Sequence, residues 1–580
     1  MSSTDITKAT SMNRLLFLAT AAIAAMLSVT AHAAAPGITG TTFNLTAQPA
    51  YLNQPDGAQV YSWGYGCTTA PTAFAPQMPN QVCPTMQVPG PTLIVTENQV
   101  VTVTLTNALP TAAGNTSILF PGFAVTATGG VAGLLAQEAQ PAGTVTYTFT
   151  AGKPGTYSYH SGTQSDLQVE MGLYGAVIVL PATTNSAIAN CNTGLAAQNR
   201  AASVAHGEAD FRLAHAAYDH PGTCYDREYL FQFAEMDLNI HRQALAQVSD
   251  PIRVARCASG ATTAGCTLEV PTEPYHPAYF LINGRSMPDD MDPNYDPVYP
   301  HQPYNGNPHM HPGEQVLLRV IGQGRWEHPF HEHANHVRIL ARDGNLILGN
   351  SKVTYGTTTA QALAGLLMFT TDTFPGQTFD GIFYFTGRGL NWDAYGHHPG
   401  SNDPLAHPSC TADANGYNTG FGATDTAFGG PVVAGTAAAV NYYEWCADHN
   451  KPMEANPLGD VGSGGPMTLP NPNIFANGAW YGGSPYLGPD ATLRGDSSLG
   501  TSGAGCVTGG VIPPTGTTAT PNCTNLQPSN IQANPANERG WAFMWHSHNE
   551  REITTNNVFP GGMFMMMLVD SREFVIDESM

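Results

Sequence analysis

Two parts of the chain carry runs with the apolar and polar pattern of β-strands. Residues 99–106 alternate Val and Leu with Thr, and residues 316–321 and 564–569 are mostly apolar runs in the second half. β-branched and aromatic residues are common in these runs, and Gly and Pro separate them. Such a pattern predicts strands rather than helices, and therefore an all-β chain built from two antiparallel β-sandwiches.

The order of these runs divides the chain into two sandwiches with a linker and an insertion. A strand near residues 381–385 is followed by the next clear strand only near Gly540. Because a structureless loop of that length is uncommon inside a compact domain, we interpret it as a disulfide-pinned surface insertion. The predicted boundaries are 37–182 for the first sandwich, 183–224 for the linker, 225–395 with 538–575 for the second sandwich, and 396–537 for the insertion.

Residues 1–33 have the features of an export signal with a short upstream extension. Arg14 supplies a basic start, residues 15–29 are apolar, and residues 31–33 form a small-residue cleavage site. The apolar run is short for a bilayer span. We therefore expect an exported protein, periplasmic or extracellular, with no membrane span after signal removal.

Net charge and cysteine spacing exclude two classes of binding partner and one kind of metal ligand. A net charge of −22 repels nucleic acid and anionic lipid, so neither is an expected partner. The ten cysteines include no CxxC spacing and none lies in a His-rich motif, so thiolate metal ligation is not expected. In an exported chain they favour disulfide bonds. Pairing of sequence neighbours, one of several connectivities that remain open, joins Cys67–Cys83, Cys191–Cys224, Cys257–Cys266, Cys410–Cys446 and Cys506–Cys523.

Histidines at alternating positions are the strongest chemical signal. Residues 328–336 contain four histidines, and His331 and His333 share one strand face with Cα atoms about 6–7 Å apart. A second pair repeats this arrangement at 546–548. Neutral imidazole binds Cu, Zn, Ni or Fe, so the two pairs predict a shared metal site. The candidate ligands are His160, His328, His331, His333, His546 and His548.

Other candidate ligands have simpler explanations. Isolated histidines are interpreted as surface or hydrogen-bonded residues, and three more are weaker candidates. The first group includes His206, His215 and His241, and the second is His309, His311 and His336. Residues 563–567 are rich in Met and offer soft ligands for Cu(I), but a buried C-terminal strand explains them better.

The motifs resemble those of multicopper oxidases, whose cupredoxin domains carry four His-x-His motifs. Residues 328–333 are similar to the third motif and residues 546–548 to the fourth. Residues 160–175, which end in Gly-Leu-Tyr-Gly, are similar to the second. The resemblance implies two cupredoxin-like Greek-key β-sandwich domains, the second of which carries the long insertion.

The chain departs from the family pattern at several ligand positions. Residues 116–122 lie where the first motif is expected and contain no histidine, and Gly162 replaces a ligand of the second. Ser547 stands where the family has its blue-copper cysteine, and Glu552 falls where the second histidine of that site is expected. A hydroxyl cannot supply the thiolate bond of a blue site, so no blue copper is expected, although His328 and Met563 resemble its other ligands.

The resemblance implies that the remaining histidines are part of an oxygen-reducing copper cluster. His331 is similar to a ligand of the single copper, and His160, His333, His546 and His548 are similar to ligands of the copper pair. Five imidazoles suit one or two copper ions, with zinc as the main rival. Two-domain relatives build the cluster between subunits of a trimer, so a homotrimer is also compatible with the resemblance.

Three functions follow as hypotheses. The first is a copper-dependent oxidoreductase that oxidises a small reductant, or a metal ion such as Mn(II) or Fe(II), with oxygen at a His-ligated copper site between the cupredoxin domains. The second is a non-catalytic protein that sequesters copper on an oxidase scaffold. The third is a structural protein without metal, in which the histidines are only hydrogen-bonded.

Overall fold

The structure is a computed structural model and describes most of the two predicted sandwiches. The described residues are 35–192, 199–200, 203–204, 208–258, 268–391, 412–418, 443–449, 483–486, 540–570 and 576. The predicted signal segment lies outside them, as do most of the predicted insertion and five residues named above. Those five are His206, Cys266, Cys410, Cys506 and Cys523.

Two five-stranded sheets form the first sandwich. One sheet contains, in spatial order, β11 (Gly155–His160), β12 (Tyr174–Leu180), β5 (Leu93–Thr96), β1 (Gly37–Thr39) and β4 (Phe74–Ala75). The other contains β3 (Gln59–Cys67), β2 (Thr42–Asn53), β6 (Val100–Asn107), β10 (Thr144–Thr150) and β7 (Thr126–Gly129). A small pair, β8 (Val131–Ala132) and β9 (Gln137–Glu138), lies beside them.

The alternation in β6 shows why this part of the chain forms strands. Val101 and Val103 are buried in the core, whereas the intervening threonines lie on the other face. Its antiparallel neighbour β10 has the same period, and Thr104 and Thr146 make a cross-strand hydroxyl hydrogen bond of 3.0 Å. Because a strand alternates faces, one side of each strand supplies the core and the other forms the outer surface.

The second sandwich has two larger sheets. One contains β14 (Tyr279–Ile282), β13 (Arg227–Met236), β16 (Gln315–Gly322), β24 (Thr378–Tyr384), β18 (Val337–Arg342) and β19 (Asn345–Leu346), with β22 (Leu367–Met368) paired to β18. The other contains β15 (His309–Met310), β27 (Phe564–Asp570), β26 (Gly540–Ser547), β17 (His328–Glu332) and β23 (Thr370–Thr373), with β25 (Gly483–Tyr486) paired to β26. A separate hairpin consists of β20 (Leu348–Tyr355) and β21 (Thr358–Leu363).

The prediction of an all-β chain with two sandwiches is confirmed, but the expectation of purely antiparallel sheets is wrong. Parallel pairs join β5 to both β1 and β12, β2 to β6, β13 to β16, and β15 to β27. Crossover connections between the two layers produce such pairs, because a strand that returns after crossing can run in the same direction as its neighbour. Residues Met565 and Met567 of β27 are buried in the core, as expected for a buried C-terminal strand.

Short helices complete the described fold. The α-helices are α1 (Ser165–Gln168), α2 (Leu238–Val248), α3 (Pro251–Cys257) and α4 (Cys446–His449). Short 3-10 helices span Thr111–Ala113, Ser186–Asn192 and Asp289–Met291. Asp237 caps α2 by accepting a 2.8 Å hydrogen bond from the Asn239 amide, which suits the first turn of a helix. No helix in the described part of the chain is long and apolar enough to cross a membrane.

Two of the predicted disulfides are present. They join Cys67 to Cys83 and Cys191 to Cys224. The other three predicted pairs each include a cysteine outside the described residues.

Buried contacts hold the two sandwiches together. Thr156 of β11 donates a 2.6 Å hydrogen bond to Asp380 of β24, and the Tyr218 hydroxyl donates to the same carboxylate. The hydroxyl of Thr378 donates to the Thr156 carbonyl at 2.7 Å. Helix α2 adds a second contact, because its Ile240 packs into the core of the first sandwich. The first sandwich therefore docks firmly on the second, with β11 at the contact.

Candidate metal centre

Strand β17 brings the two predicted histidine pairs together. It lies between β26 and β23, and His331 is directly opposite His546 in the β17–β26 register. His333 follows two residues after His331, and His548 two residues after His546, so each pair returns to the same face. Both pairs therefore lie on one side of this sheet.

The four imidazoles form a compact cluster. The His331 ring centroid lies 4.7 Å from that of His333, 5.7 Å from that of His546 and 4.7 Å from that of His548. The His546 ring lies 5.2 Å from His333 and 5.1 Å from His548. Segments more than 200 residues apart in sequence thus supply one group of neighbouring rings, since His333 and His546 are separated by 213 positions.

Hydrogen bonds orient two of these rings. Nδ1 of His546 lies 2.8 Å from the carbonyl oxygen of Ser547, and a carbonyl only accepts, so Nδ1 carries the proton. In the neutral ring, Nε2 then keeps its lone pair. Nδ1 of His331 lies 2.8 Å from the hydroxyl of Thr370 on β23, which leaves Nε2 of His331 directed elsewhere. Such outer partners are typical of metal-ligating histidines.

The spacing of the nitrogen atoms suits a shared ion. Nε2 of His333 and Nε2 of His546 are 3.2 Å apart. Two imidazoles bound to one ion at about 2.0–2.1 Å in tetrahedral geometry have their nitrogens about 3.3 Å apart. As the side chains stand, however, no group of three or more His, Cys, Asp or Glu among the described residues could hold a metal ion. Binding of one ion by three imidazoles would therefore require a third ring of the cluster to rotate towards the first two.

Two rings of the cluster, His331 and His546, have lowered pKa values. Burial, together with the nearby His548 and His546, lowers the pKa of His331 from 6.5 to about 4. Burial also lowers the pKa of His546. Since a metal binds imidazole only in its unprotonated form, these shifts keep the rings available as ligands at neutral pH.

His160 has the same local geometry as His546 but a different location. Its Nδ1 lies 3.1 Å from the carbonyl of Ser161, so its Nε2 also keeps a lone pair in the neutral ring. It ends β11 of the first sandwich, and burial lowers its pKa. Within the described residues it makes no ring contact with the four histidines of the cluster.

His328 lies apart from the cluster, between two buried carboxylates. Its Nδ1 is 2.9 Å from Glu552 and its Nε2 is 3.0 Å from Glu235. Burial alone lowers the pKa of His328, but the hydrogen bonds to Glu235 and Glu552 outweigh it and raise the pKa from 6.5 to about 9. The ring is therefore protonated at neutral pH and has no lone pair for a metal, so we leave His328 out of the proposed ligand set.

The position expected for a blue-copper site is filled by hydrogen bonds. The hydroxyl of Ser547 donates to Glu552 at 2.6 Å, and Asn549 donates to the same carboxylate at 2.8 Å. Glu552 then links this group to His328. Met563 is buried in the core of the second sandwich nearby in the fold. Ser547 and Glu552, which stand where a cysteine and a histidine of a blue site are expected, thus bind each other.

The weaker histidine candidates also have other partners. His309 lies 2.8 Å from Asp570, and His311 lies 2.6 Å from Glu208. His336 lies beyond Phe369, whose ring is 5.0 Å from His336 and 5.7 Å from His331. Of the two described histidines interpreted as surface or hydrogen-bonded residues, His215 is exposed, and His241 is buried and lies 2.6 Å from the Tyr61 carbonyl.

Sequence reasoning missed the residues that support the cluster. Thr370 is 39 positions from His331, and no motif marks it. Glu332 lies between His331 and His333 in sequence but on the opposite face, where it is buried and accepts a 2.8 Å hydrogen bond from Thr371. Burial raises the pKa of Glu332 from 4.5 to about 8, so this carboxyl is protonated at neutral pH. The alternation of strand faces was the one sequence feature that indicated a different environment for Glu332 than for its neighbours His331 and His333.

Comparison with protein families gives a match within the first sandwich. Residues 71–184 match the family model described as multicopper oxidase. The predicted resemblance to multicopper oxidases is thereby confirmed for this segment. The match supports a copper oxidoreductase as the general kind of protein. Among curated proteins, none matches the chain at a significant level.

Several solved structures are similar to this chain at low identity. A blue copper oxidase from Nitrosomonas europaea is 17% identical over 59% of this chain and 74% of its own, with a TM-score of 0.35. A copper nitrite reductase from Nitrosomonas europaea is 18% identical over 60% of this chain and 85% of its own, with a TM-score of 0.33. A laccase from Botrytis aclada is 18% identical over 61% of this chain and 48% of its own, with a TM-score of 0.33. TM-scores this low carry no conclusion about activity.

Proposed function

We propose that the protein is an exported copper-dependent oxidase that oxidises a small reductant or a metal ion with oxygen. The observation that carries this proposal is the cluster of His331, His333, His546 and His548, with two Nε2 atoms 3.2 Å apart. Imidazoles in such an array are suitable ligands for copper, one ion or two. Bound copper would supply the change of oxidation state that electron transfer to oxygen requires.

The chain's own residues prepare this site. The Ser547 carbonyl fixes the tautomer of His546, and Thr370 holds the ring of His331 through Nδ1. These contacts already restrict the rotation of the rings, so the rings lose less conformational freedom when they bind an ion. The ring of Phe369 packs edge-on against His331, 5.7 Å away between centroids.

The electron donor must approach the cluster directly. Ser547 supplies no thiolate, and His328 is held by Glu235 and Glu552, so the described part of the chain offers no blue-copper site as an entry point. The net charge of −22 attracts cations such as Mn(II) and Fe(II), which makes a metal ion one suitable donor. A small organic reductant is the other.

Metal quantification and oxygen uptake test this function. The mature protein is loaded with copper, and electron paramagnetic resonance reports the copper sites and the absence of a blue signal, while elemental analysis distinguishes copper from zinc. We expect oxygen consumption with at least one phenolic or metal-ion donor. His546→Ala should lose bound copper and turnover, whereas the control His215→Ala, at an exposed histidine, should keep both. Copper-loaded protein that consumes no oxygen with any donor would rule out the oxidase.

Copper sequestration is the second candidate function. It is favoured by the hydrogen-bonded group of Ser547, Glu552 and His328, which fills the place of an electron-entry site. A sequestering protein binds copper tightly at the same four histidines without turnover. The experiment above separates the two, because the oxidase needs oxygen uptake and the sequestering protein needs only the bound metal.

We also propose that a second copy of the chain supplies His160. This histidine has the ligand-like tautomer of His546, yet it makes no ring contact with the cluster in the described part of its own chain. A homotrimer with the site between copies accommodates both facts. A cyclic homotrimer repeats one interface three times, so His160 of each copy would complete the site of its neighbour.

A further inference from the structure

A cavity beside the histidine cluster has the properties of an organic ligand site. Its volume is about 670 Å³, within the usual range for small-molecule sites. Strand β18 and the turn before it supply one wall, and the hairpin β20–β21 supplies another. The lining residues that matter here are His336, Arg338, Leu340, Tyr355, Leu363 and Tyr384.

The wall of the cavity is built before any ligand binds. The amide of Leu363 donates to the Tyr355 hydroxyl at 3.3 Å, and the Tyr355 ring packs 5.3 Å from that of His220. His220 in turn is 2.8 Å from the carbonyl of Gln361 on β21. These contacts fix the hairpin against residues that precede the second sandwich, so its aromatic and aliphatic side chains keep their place.

The polar end of the cavity carries positive charge. Arg338 donates one hydrogen bond of 3.0 Å to the Gly365 carbonyl, and a guanidinium has five N–H donors in all. No carboxylate lies within ion-pair distance of Arg338 among the described residues, and none of the described lining residues is Asp or Glu. In a chain of net charge −22, a cavity that combines one arginine with no acidic wall is selective for an anion.

We infer that this cavity binds a small aromatic carboxylate. Its ring would pack between Tyr355, Tyr384 and the leucines, and its carboxylate would pair with Arg338. Leu367, which is 55% exposed, lies at the rim and gives the ligand a way in. The bound molecule would lie next to His336, whose ring is separated from His331 of the cluster only by Phe369.

Calorimetric titration of the full-length mature protein without metal tests this site. The probes are benzoate, benzyl alcohol and acetate, which separate the contributions of ring and charge. Benzoate should bind at one site per chain, and the two partial probes at least about tenfold more weakly, because each lacks one of the two interactions. Binding of all three with equal affinity, or no binding of benzoate, would overturn the inference.

Single-residue variants test whether benzoate binds in this cavity. Arg338→Gln should weaken benzoate binding about 10- to 100-fold and leave benzyl alcohol unchanged, because only the charge-assisted pair is lost. The control Lys352→Gln removes the same charge from an exposed position on the hairpin and should have no effect. Leu363→Trp should block all probes by filling the cavity. Equal loss in Arg338→Gln and Lys352→Gln would contradict the inference.

Binding at this cavity is separable from the proposed oxidase. The titration uses protein without copper, so its result stands whether or not the loaded protein consumes oxygen. Conversely, a failure to bind benzoate leaves the histidine cluster and its copper chemistry untouched.

Discussion

His328 carries a proton between two buried carboxylates, and this arrangement ties the stability of the fold to pH. Its pKa is about 9 in the folded protein and 6.5 in an exposed state, because the hydrogen bonds to Glu235 and Glu552 outweigh the effect of burial. A folded-state pKa above the unfolded value gives stabilisation that is complete below pH 6.5 and is lost as pH rises through about 9. We therefore expect the free energy of unfolding to decrease across this range.

Urea denaturation at a series of pH values measures this effect. In Glu552→Gln the pKa of His328 should rise less, so the decrease in stability between pH 6.5 and about 9 should be smaller than in the parent protein. The control His215→Gln changes an exposed histidine and should leave the decrease as it was. Superimposable pH profiles for Glu552→Gln and the parent would show that this pair does not set the pKa.

Individual residues also show what the sequence could and could not reveal. The sequence predicts that His331 and His333 act as a pair, because a strand places alternate residues on one face. The sequence does not predict the partners of His328, since Glu235 is 93 positions away and Glu552 is 224 positions away. Only the fold brings these carboxylates to the ring, and with them a pKa of about 9, which keeps the ring protonated at neutral pH.

At the scale of elements, strand β23 orients the cluster from the edge of its sheet. Thr370 on this strand bonds Nδ1 of His331 at 2.8 Å. Thr370→Val keeps the shape of the side chain and removes the hydroxyl, so the ring of His331 loses its fixed orientation. We expect copper affinity to fall about 10- to 100-fold, the usual cost of losing an outer partner of a ligand.

Competition with a chelator of known copper affinity measures this change. Thr373→Val is the matched control, because the Thr373 hydroxyl on the same strand is buried without a hydrogen-bond partner among the described residues. It should bind copper like the parent protein. Equal affinity in Thr370→Val and Thr373→Val would mean that the threonine does not support His331.

Elements differ in how well the sequence predicts them. The strands with strict alternation, such as β6, were predictable because one face of each is buried. Helices α2 and α3 were not predicted, since they are short and their buried residues, such as Ile240 of α2 and Cys257 of α3, pack onto the first sandwich rather than onto their own. The parallel pairs were missed as well, because the direction of a strand depends on the connection that leads to it rather than on its own residues.

At the scale of the whole molecule, the position of β11 bears on the proposal that His160 completes the site. This strand begins against the second sandwich, where Thr156 bonds Asp380, and ends at His160. Its docking fixes where His160 lies relative to its own cluster, and no ring contact joins the two within the described residues. In the proposed ligand set of five imidazoles, His160 would therefore come from a neighbouring copy of the chain.

Mixed oligomers test this arrangement. His160→Ala and His331→Ala are co-expressed with different tags, and oligomers that carry both tags are purified. Each single variant should bind less copper, because every interface lacks one ligand. In a mixed cyclic trimer, whichever its composition, about one interface in three joins an intact His160 to an intact cluster. Copper bound per chain should therefore rise in the mixed oligomers above the composition-weighted mean of the two single variants. If His160 served the cluster of its own chain, every site in the mixture would still lack a ligand, and mixing would restore no copper.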